Sequence, residues 1–302
     1  SFRNFCEEID HLPVAARLHK TLAKDRSQGP MLLLKRDGSY KEDERQRALL
    51  LLETHFPGSR NEGGITSQAR RNKPSKSDWE IARLVLSPGR LEWAVRTFQP
   101  LKSPGVDGIH PILLQEGWSE LMPHLITIMR SSLALGYIPR LWRRAKVIFI
   151  PKVGKKDSTL PKSYRPISLT SFVLKTMEKA VDNYIRTTIM EKMPLHHQQH
   201  AYRAGRSTET ALFELTGILQ KAIDDRETAI CAFMDIAGAF DNTSHEAIKL
   251  ALERRGVDKT TTRWACNLLS TRTVETEVGS ETITVDTVKG CPQGGVLSPL
   301  LW

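Results

Sequence analysis

The feature that most constrains the fold is a short apolar run that ends in an acid. Ala232, Phe233 and Met234 are followed directly by Asp235. Such a run indicates a β-strand, and an ionised carboxylate beside a strand is costly unless a cation or several hydrogen-bond donors meet it. The sequence therefore predicts a strand that ends at a bound metal ion or at a group of donors.

The residues after this run suit a metal centre for phosphoryl transfer. In such centres a carboxylate at a strand end binds two metal ions, one activating a hydroxyl and the other neutralising a triphosphate. Mg²⁺ fits because it prefers oxygen ligands and keeps positions for water and phosphate. The backbone carbonyl of Ile236 would supply a further oxygen. A turn through residues 237–239 would bring the ring of Phe240 under the sugar, where it would exclude a 2′-hydroxyl.

Two other interpretations of the acidic run need to be considered. P-loop ATPases also have an apolar run that ends in an acid, and many ordinary strand ends look the same. The chain contains no G-x-x-x-x-G-K-[ST] segment, which excludes the ATPase interpretation. The structural interpretation remains open on this residue alone, so the other motifs decide.

A second motif is the segment GCPQGGVLSP, from Gly290 to Pro299. Its three glycines in six residues allow the backbone to approach a ligand closely, and Gln293 carries both a donor and an acceptor. Ser298 followed by proline predicts an N-cap, so the loop leads into a helix. A Gly/Pro-rich surface turn is the alternative interpretation.

A third motif is the basic segment from Arg140 to Arg165, which holds nine lysines and arginines against one acid. A solvated charged face is the usual explanation for such a run. Lys152, however, directly follows a strand-like segment, and the proline after Arg165 restricts the conformation of that arginine. Both residues are therefore candidates for binding phosphate.

Together these motifs resemble the reverse transcriptases of non-LTR (LINE-type) retrotransposons. The resemblance covers the chain from about Trp93 to its last residue. Six segments match in the order of the family: KSPGVDGIHP (102–111), AKVIFIPKVGK (145–155), SYRPISL (163–169), HAYRAGRST (200–208), AFMDIAGAFD (232–241) and GCPQGGVLSPLL (290–301).

The resemblance implies an α+β, helix-rich fold, with the fingers and a partial palm of a right-hand polymerase. We expect an N-terminal helical and linker region at 1–92, fingers and the start of the palm at 93–228, and a partial palm at 229–302 that includes the strand bearing Asp235. The implied activity is RNA-directed DNA polymerisation, in which a DNA primer is extended on an RNA template with deoxynucleoside triphosphates.

The resemblance also implies roles for individual residues. Asp235 and the Ile236 carbonyl would bind Mg²⁺ in a two-metal site, with Asp235 as the catalytic carboxylate and Phe240 as the ribose gate. Lys152 and Arg165 would hold the triphosphate, and Gln293 and Gly294 would lie against the incoming nucleotide and the template base.

One departure from the family affects the expected activity. The family places an aromatic-Ala-Asp-Asp hairpin after the helix that GCPQGGVLSPLL begins, and the sequence given stops at Trp302. With Asp235 as the single recognisable carboxylate, we expect weak magnesium binding and no activity of this polypeptide by itself. The alternatives are a group II intron or retron-type reverse transcriptase, a non-catalytic RNA-binding module, and a partial reading frame without a stable function.

Composition agrees with a nucleic-acid partner. The 302 residues carry a net charge of +10, and the pI near 9.5 favours a polyanion. Four scattered cysteines predict neither a zinc site nor disulfides, and His196, His197 and His200 are expected in a polar loop near the template. The sequence shows no signal peptide and no membrane-spanning run, so we expect an intracellular protein of the nucleus or cytoplasm. It does not indicate the oligomeric state.

Several segments have helical or strand spacing. Apolar stripes that begin at Trp118, Val173 and Ala211 predict helices that face the core. We also predict a helix at Glu44–Phe56 and a linker at Pro57–Ser77.

Downstream of the acidic run, Thr243 and Glu246 predict a capping box, which leaves Asp241 to hold the preceding turn. Thr273–Val278 and Glu281–Val288 alternate in polarity and predict a hairpin with a type II′ turn at 279–280.

Overall fold

The computed structural model describes residues 33–34, 40–41, 43–61, 73–154, 157–236, 238–278 and 281–302. Cys6, most of the predicted linker and the predicted turn at 279–280 lie outside these residues. The predicted linker therefore stays a prediction where it is not described, although its last two residues form the start of a helix.

The described helices follow one another through most of the chain. They are α1 (Glu44–His55), α2 (Lys76–Val85), α3 (Pro88–Arg96), α4 (Pro111–Glu116), α5 (Trp118–Leu135), α6 (Arg140–Arg143), α7 (Phe172–Tyr184), α8 (Thr208–Asp224), α9 (Ala239–Asn242), α10 (His245–Arg254), α11 (Lys259–Ser270) and α12 (Ser298–Leu301). A 3₁₀ turn at Pro161–Ser163 and a π-helical turn at Ile185–Ile189 complete the set.

The strands form one two-stranded and one five-stranded sheet. The strands are β1 (Leu33–Leu34), β2 (Tyr40–Lys41), β3 (Arg60–Asn61), β4 (Arg144–Pro151), β5 (Tyr164–Leu169), β6 (Thr273–Val278) and β7 (Glu281–Asp286). The larger sheet has the order β3-β7-β6-β4-β5, in which β4 and β6 are parallel and the other pairs are antiparallel. The mixed helices and sheet confirm the α+β class.

The large hydrophobic core lies among the helices. It joins residues of α2, α3, α5, α7, α10 and α11 to the 290–301 segment. Trp264 of α11 is fully buried, and its indole N–H donates to Ser132 Oγ of α5 at 3.1 Å. A large aromatic ring removes much apolar surface from water, and its one polar atom is satisfied here. The α5 and α7 stripes therefore face the core, as predicted.

A polar junction at the edge of this core ties three helices together. Asp78 caps α2 through Ser75, and its carboxylate also accepts from Thr260 and Arg263 of α11. Arg263 in turn donates to the Ala134 carbonyl of α5 at 2.7 Å. Burial raises the pKa of Asp78, but these hydrogen bonds outweigh burial and hold the pKa well below its usual range.

A second core lies between α1 and one face of the large sheet. Ala48, Leu52 and Phe56 pack against Ala145 and Val147 of β4 and against the buried valines and isoleucine of β6 and β7. Since alternate residues of a strand point to opposite faces, the intervening residues form the other face. There Arg144 pairs with Glu275, and Ile148 and Ile150 are nearly half exposed.

Three details of the predicted elements are wrong. The N-cap of α12 is Leu297 and Ser298 is its first residue, because the Ser298 hydroxyl donates to the Pro292 carbonyl. The capping box is absent: the N-cap of α10 is Ser244, and Thr243 donates to the Ala239 carbonyl. The predicted hairpin strands are confirmed, but β7 ends at Asp286, two residues before the predicted end at Val288.

The prediction that α8 faces the core is also wrong. The helix is present and Ser207 caps it, but it has no buried residue: four residues of the predicted stripe are only partly buried, and Ile218 is 55% exposed. Helical periodicity predicts which side chains share a face, not whether another element covers that face.

The limits of the predicted domains remain a prediction; α3 spans the boundary proposed at residue 92 and packs into the large core. Within the described ranges, none of the helices is both long and apolar enough to cross a membrane.

Candidate functional site

The Gly290 to Pro299 loop lies against β5 and the start of α9. Ser168 N of β5 donates to the Gln293 carbonyl at 2.8 Å. Gly294 has a φ of 111°, and a Cβ there would lie 2.8 Å from the Ser168 carbonyl oxygen. A side chain at this position would therefore clash with backbone. Gly294 allows the loop to lie close to the backbone of β5, whereas the sequence predicted that the glycines would allow a close approach to a ligand.

The other end of the loop is bonded to the turn that contains Phe240. Cys291 N donates to the Phe240 carbonyl and Gly290 N to the Thr243 carbonyl, each at 2.8 Å. Nε2 of His245 lies 3.1 Å from the Gly290 carbonyl oxygen. Burial lowers the pKa of His245, which favours the neutral ring. Two segments about 50 residues apart thus form one hydrogen-bonded unit.

The side chain of Gln293 belongs to this unit. Its Nε2 donates to Asp241 Oδ1 at 2.9 Å, and both side chains are only partly exposed. From the sequence, Asp241 was expected only to hold the turn that precedes α10. The structure adds this contact with Gln293, and the spacing of the two residues gave no indication of it.

Buried charges support the loop from below. Oε2 of Glu178 accepts from Val296 N at 2.6 Å and from Leu297 N at 3.3 Å. Glu178 is 2% exposed, and burial raises its pKa, while the two amides and the cations of Lys175 and Arg272 oppose that rise. Burial also lowers the pKa of Arg272 to about 10. The sequence offered one signal for this cluster, an acid and a lysine within the apolar face of α7.

Lys152 and Arg165 are neighbours at the end of the β4–β5 hairpin where the connecting segment begins and ends. Arg165 pairs with Ile150 in the ladder, and Lys152 N donates to the Ser163 carbonyl at 2.7 Å. The Lys152 ammonium donates to the Lys162 carbonyl, and Arg165 is exposed. The structure therefore brings together the two cations that the sequence singled out.

The hairpin and the loop face a shared region. Ser168 lies three positions after Arg165 on β5, which is about 10 Å along a strand. Burial lowers the pKa of His55 of α1, and the charges of Asp241 and Lys152 also act on it. Asp241 and Lys152 thus both lie within electrostatic range of one imidazole. The basic hairpin end and the glutamine loop therefore both contact β5.

Phe240 lies in an aromatic group beside the loop. Its ring centroid is 5.5 Å from that of Trp302, with the planes 30° apart, and 6.4 Å from that of Tyr202 in an edge-to-face arrangement. The ring is partly buried against the large core. Its place next to Cys291 brings it close to the glutamine loop, as the predicted site requires, while its contact with a sugar remains a prediction.

Asp235 and Ile236 lie in a segment that differs from its predicted form. Residues 227–236 form no strand and are exposed, with Phe233 at 83% and Met234 at 94%. A strand needs a neighbour to accept its backbone hydrogen bonds, and no described strand pairs with this segment. The predicted Asp-bearing strand is therefore absent.

The oxygen ligands that Asp235 and Ile236 could supply do not complete a metal site. Among the described residues there is no group of three or more His, Cys, Asp or Glu side chains that could hold an ion. Magnesium requires near-octahedral oxygen coordination, which one exposed carboxylate and a carbonyl do not provide. The described histidines belong to no such group: His200 contacts Thr210 and Glu214, and the rings of His196 and His197 lie 4.3 Å apart in an exposed loop. The predicted position of this loop near the template remains a prediction.

Comparison with known proteins points to one family. Residues 150–302 match the family model described as reverse transcriptase (RNA-dependent DNA polymerase). This match covers about half of the chain and includes both cations, the Phe240 turn and the Gln293 loop.

The chain is similar to several proteins of transposable elements, including three from insects. The chain is 31% identical over 229 residues to a Drosophila melanogaster protein named "Probable RNA-directed DNA polymerase from transposon BS", covering 72% of this chain and 24% of that protein. It is 29% identical to the RNA-directed DNA polymerase from mobile element jockey of the same species, covering 67% and 22%. It is 24% identical to the retrovirus-related Pol polyprotein from type-1 retrotransposable element R1 of Bradysia coprophila, covering 89% and 26%. The chain thus spans about a quarter of the length of these relatives.

Proposed function

Because this chain belongs to the reverse transcriptase (RNA-dependent DNA polymerase) family, we propose that it forms the nucleotide-binding part of a non-LTR retrotransposon polymerase. The reaction of that polymerase would extend a DNA primer on an RNA template with deoxynucleoside triphosphates. The described elements would be its fingers and part of its palm. One observation carries the proposal: β5 joins the exposed Arg165 to the hydrogen-bonded unit of Phe240, Asp241 and Gln293.

The charges and shapes in this unit support a division of roles. Lys152 and Arg165 would bind the triphosphate, since arginine forms paired hydrogen bonds with phosphate and lysine supplies a compact charge. Phe240 would contact the sugar and exclude a 2′-hydroxyl. Gln293 and Gly294 would lie against the incoming nucleotide and the template base.

Divalent metal ions are general cofactors of reverse transcriptases, and we propose Mg²⁺ for this protein. Asp235 and the Ile236 carbonyl would be its ligands from this chain. Since the described residues do not complete the coordination, we expect no primer extension by this polypeptide alone in Mg²⁺. Extension that disappears in Asp235→Ala would overturn that expectation.

Nucleic-acid binding tests the proposal without catalysis. The experiment titrates salt while the chain binds a poly(rA)–oligo(dT) hybrid and dTTP. Removing a cation that contacts phosphate lowers the salt slope by roughly 0.7–0.9. We therefore expect Arg165→Gln to lower the slope of hybrid or triphosphate binding, and the matched Arg96→Gln, at an exposed arginine paired with Glu92, to leave it unchanged. Equal slopes for both variants would refute the phosphate role.

A non-catalytic RNA-binding module is the second candidate. The incomplete set of metal ligands at Asp235 favours it, and Arg140, Lys162 and Arg165 of the basic segment are exposed. Arg144 and Lys146 are paired with Glu275 and Glu277, so these two charges are neutralised within the sheet. Tight, salt-dependent RNA binding without dTTP binding would favour the module over the polymerase role.

A further inference from the structure

The carboxamide of Gln293 has a defined orientation because of its partner. An ionised carboxylate only accepts hydrogen bonds, so the group of Gln293 that faces Asp241 Oδ1 at 2.9 Å is the NH₂ end. The Oε1 end is then turned away from Asp241. Asp241 thus decides which end of the amide is left for a partner other than Asp241.

Asp241 is itself held firmly enough to do this. Its backbone N–H donates to the Gly238 carbonyl at 3.0 Å, at a glycine with a φ of 60°. The two backbone hydrogen bonds from Gly290 and Cys291 join the same turn to the loop. The buried guanidinium of Arg272 also lies close enough for the charge of Asp241 to act on its pKa. The carboxylate thus has a fixed backbone and a cation nearby.

The chain contains a second glutamine–aspartate pair that serves as an internal comparison. Gln220 Nε2 donates to Asp224 Oδ1, also at 2.9 Å, on the exposed helix α8. That pair spans four residues, whereas the Asp241–Gln293 pair spans 52 residues and joins two segments. The chemistry is the same, and only the pair at the loop can position another segment.

We propose that Asp241 is a positioning residue, which holds the NH₂ end of Gln293 so that its Oε1 accepts a hydrogen bond from an N–H or O–H group of the bound nucleotide. The ligand part of this inference rests on the proposed function. The positioning part is independent of it, because it concerns only contacts within the chain.

Hydrogen exchange of the 302-residue chain tests the positioning. Asp241→Leu removes the acceptor with little change in size, whereas Asp241→Asn keeps an acceptor oxygen. We expect amides 290–297 to exchange about tenfold faster in Asp241→Leu, since a hydrogen bond to a charged group is lost. We expect little change in Asp241→Asn and none in Asp224→Leu, which removes the comparison pair. Unchanged exchange of the loop in Asp241→Leu would overturn the proposal, as would equal acceleration in both Asp241 variants.

A variant on the other side of the pair guards against a general loss of folding. Gln293→Met removes the donor and keeps the length of the side chain. If Asp241 acts through Gln293, the double variant exchanges no faster than either single variant; additive effects would overturn the inference.

Binding of dTTP in the presence of the poly(rA)–oligo(dT) hybrid tests the ligand part. We expect about tenfold weaker binding for Asp241→Leu and rescue to within about threefold by Asp241→Asn. Full affinity in Asp241→Leu would refute the ligand part. If the unaltered chain binds no dTTP, the proposed function fails and the ligand part fails with it, while the exchange experiment still decides the positioning role.

Discussion

Replacing Glu178 with leucine would remove the one acceptor that holds the amides of Val296 and Leu297 from inside the core. The same change would remove the negative charge beside Lys175 and Arg272. Arg272 is 4% exposed, and in the described part of the chain its Nη1 has no hydrogen-bond partner. Its Nε donates to Thr287 Oγ1 at 3.2 Å, and the charges of Glu178 and Asp241 also stabilise the cation.

Two opposing effects determine the size of the change. Burying Glu178 costs desolvation energy, so replacing a whole buried ion group with apolar residues is often neutral or stabilising. Removing one partner alone leaves the others uncompensated, which costs about 3–5 kcal/mol. Because Arg272 and the two amides remain, the second effect should dominate. We expect Glu178→Leu to lower the free energy of unfolding by about 4 kcal/mol. Glu178→Gln keeps an acceptor oxygen and should cost about 2 kcal/mol.

Urea denaturation followed by tryptophan fluorescence measures this change. If the free energy of unfolding falls by about 3 kcal/mol per M urea, a loss of about 4 kcal/mol lowers the urea midpoint by roughly 1.3 M. Glu92→Gln is the control, because Glu92 is exposed and pairs with Arg96 only across one helical turn, so its loss should stay within about 0.5 kcal/mol. A midpoint for Glu178→Leu equal to or above that of the unaltered chain would refute the reasoning.

Three further predictions concern the surroundings of the site. Asp78→Asn should lower the free energy of unfolding by about 1–2 kcal/mol at pH 7. Because the pKa of Asp78 is lower in the folded than in the unfolded chain, the carboxylate stabilises the fold above about pH 4, and this stabilisation is lost as the pH falls further. The denaturation curves of the two proteins should therefore converge in acid. Gly290→Ala should lower the thermal midpoint clearly more than Gly256→Ala. Both glycines have a positive φ, but a Cβ at 290 would lie 2.7 Å from a backbone oxygen, whereas one at 256 would have no neighbour within 4 Å. Equal thermal midpoints of the two variants would contradict the close approach at Gly290. Trp264→Ala should cost about 3–5 kcal/mol by leaving a cavity, and a loss below about 1 kcal/mol in urea denaturation would show that the ring is not part of the core.

Much of the local structure could be predicted from consecutive residues. The helices at Trp118–Leu135 and Phe172–Tyr184 follow from apolar side chains at helical spacing, and the β6–β7 hairpin follows from alternation on both sides of a Gly-Ser pair. The capping prediction at Thr243 was wrong because a neighbouring serine took the N-cap position. Competition of this kind depends on small differences between adjacent residues.

The candidate site was predictable as a set of residues but not as an arrangement. Lys152, Arg165, Phe240 and Gln293 could be selected from motifs. Their contacts depend on segments far apart in the chain, such as those of Glu178 and Val296, which are 118 positions apart. No spacing rule reports such a contact, so the support from Glu178 was missed.

The sequence by itself determined the helices at 118–135 and 172–184, the β6–β7 hairpin, the net positive charge and the resemblance to reverse transcriptases. These are properties of neighbouring residues or of motif order, and both can be read along the chain. The tertiary structure decided that Asp241 contacts Gln293 and that Glu178 supports the loop. It also decided that the apolar stripe of α8 is only partly buried and that the Asp235 segment is exposed. Burial and hydrogen bonding depend on which surface meets which, and the energy of that meeting is set only when distant segments pack together.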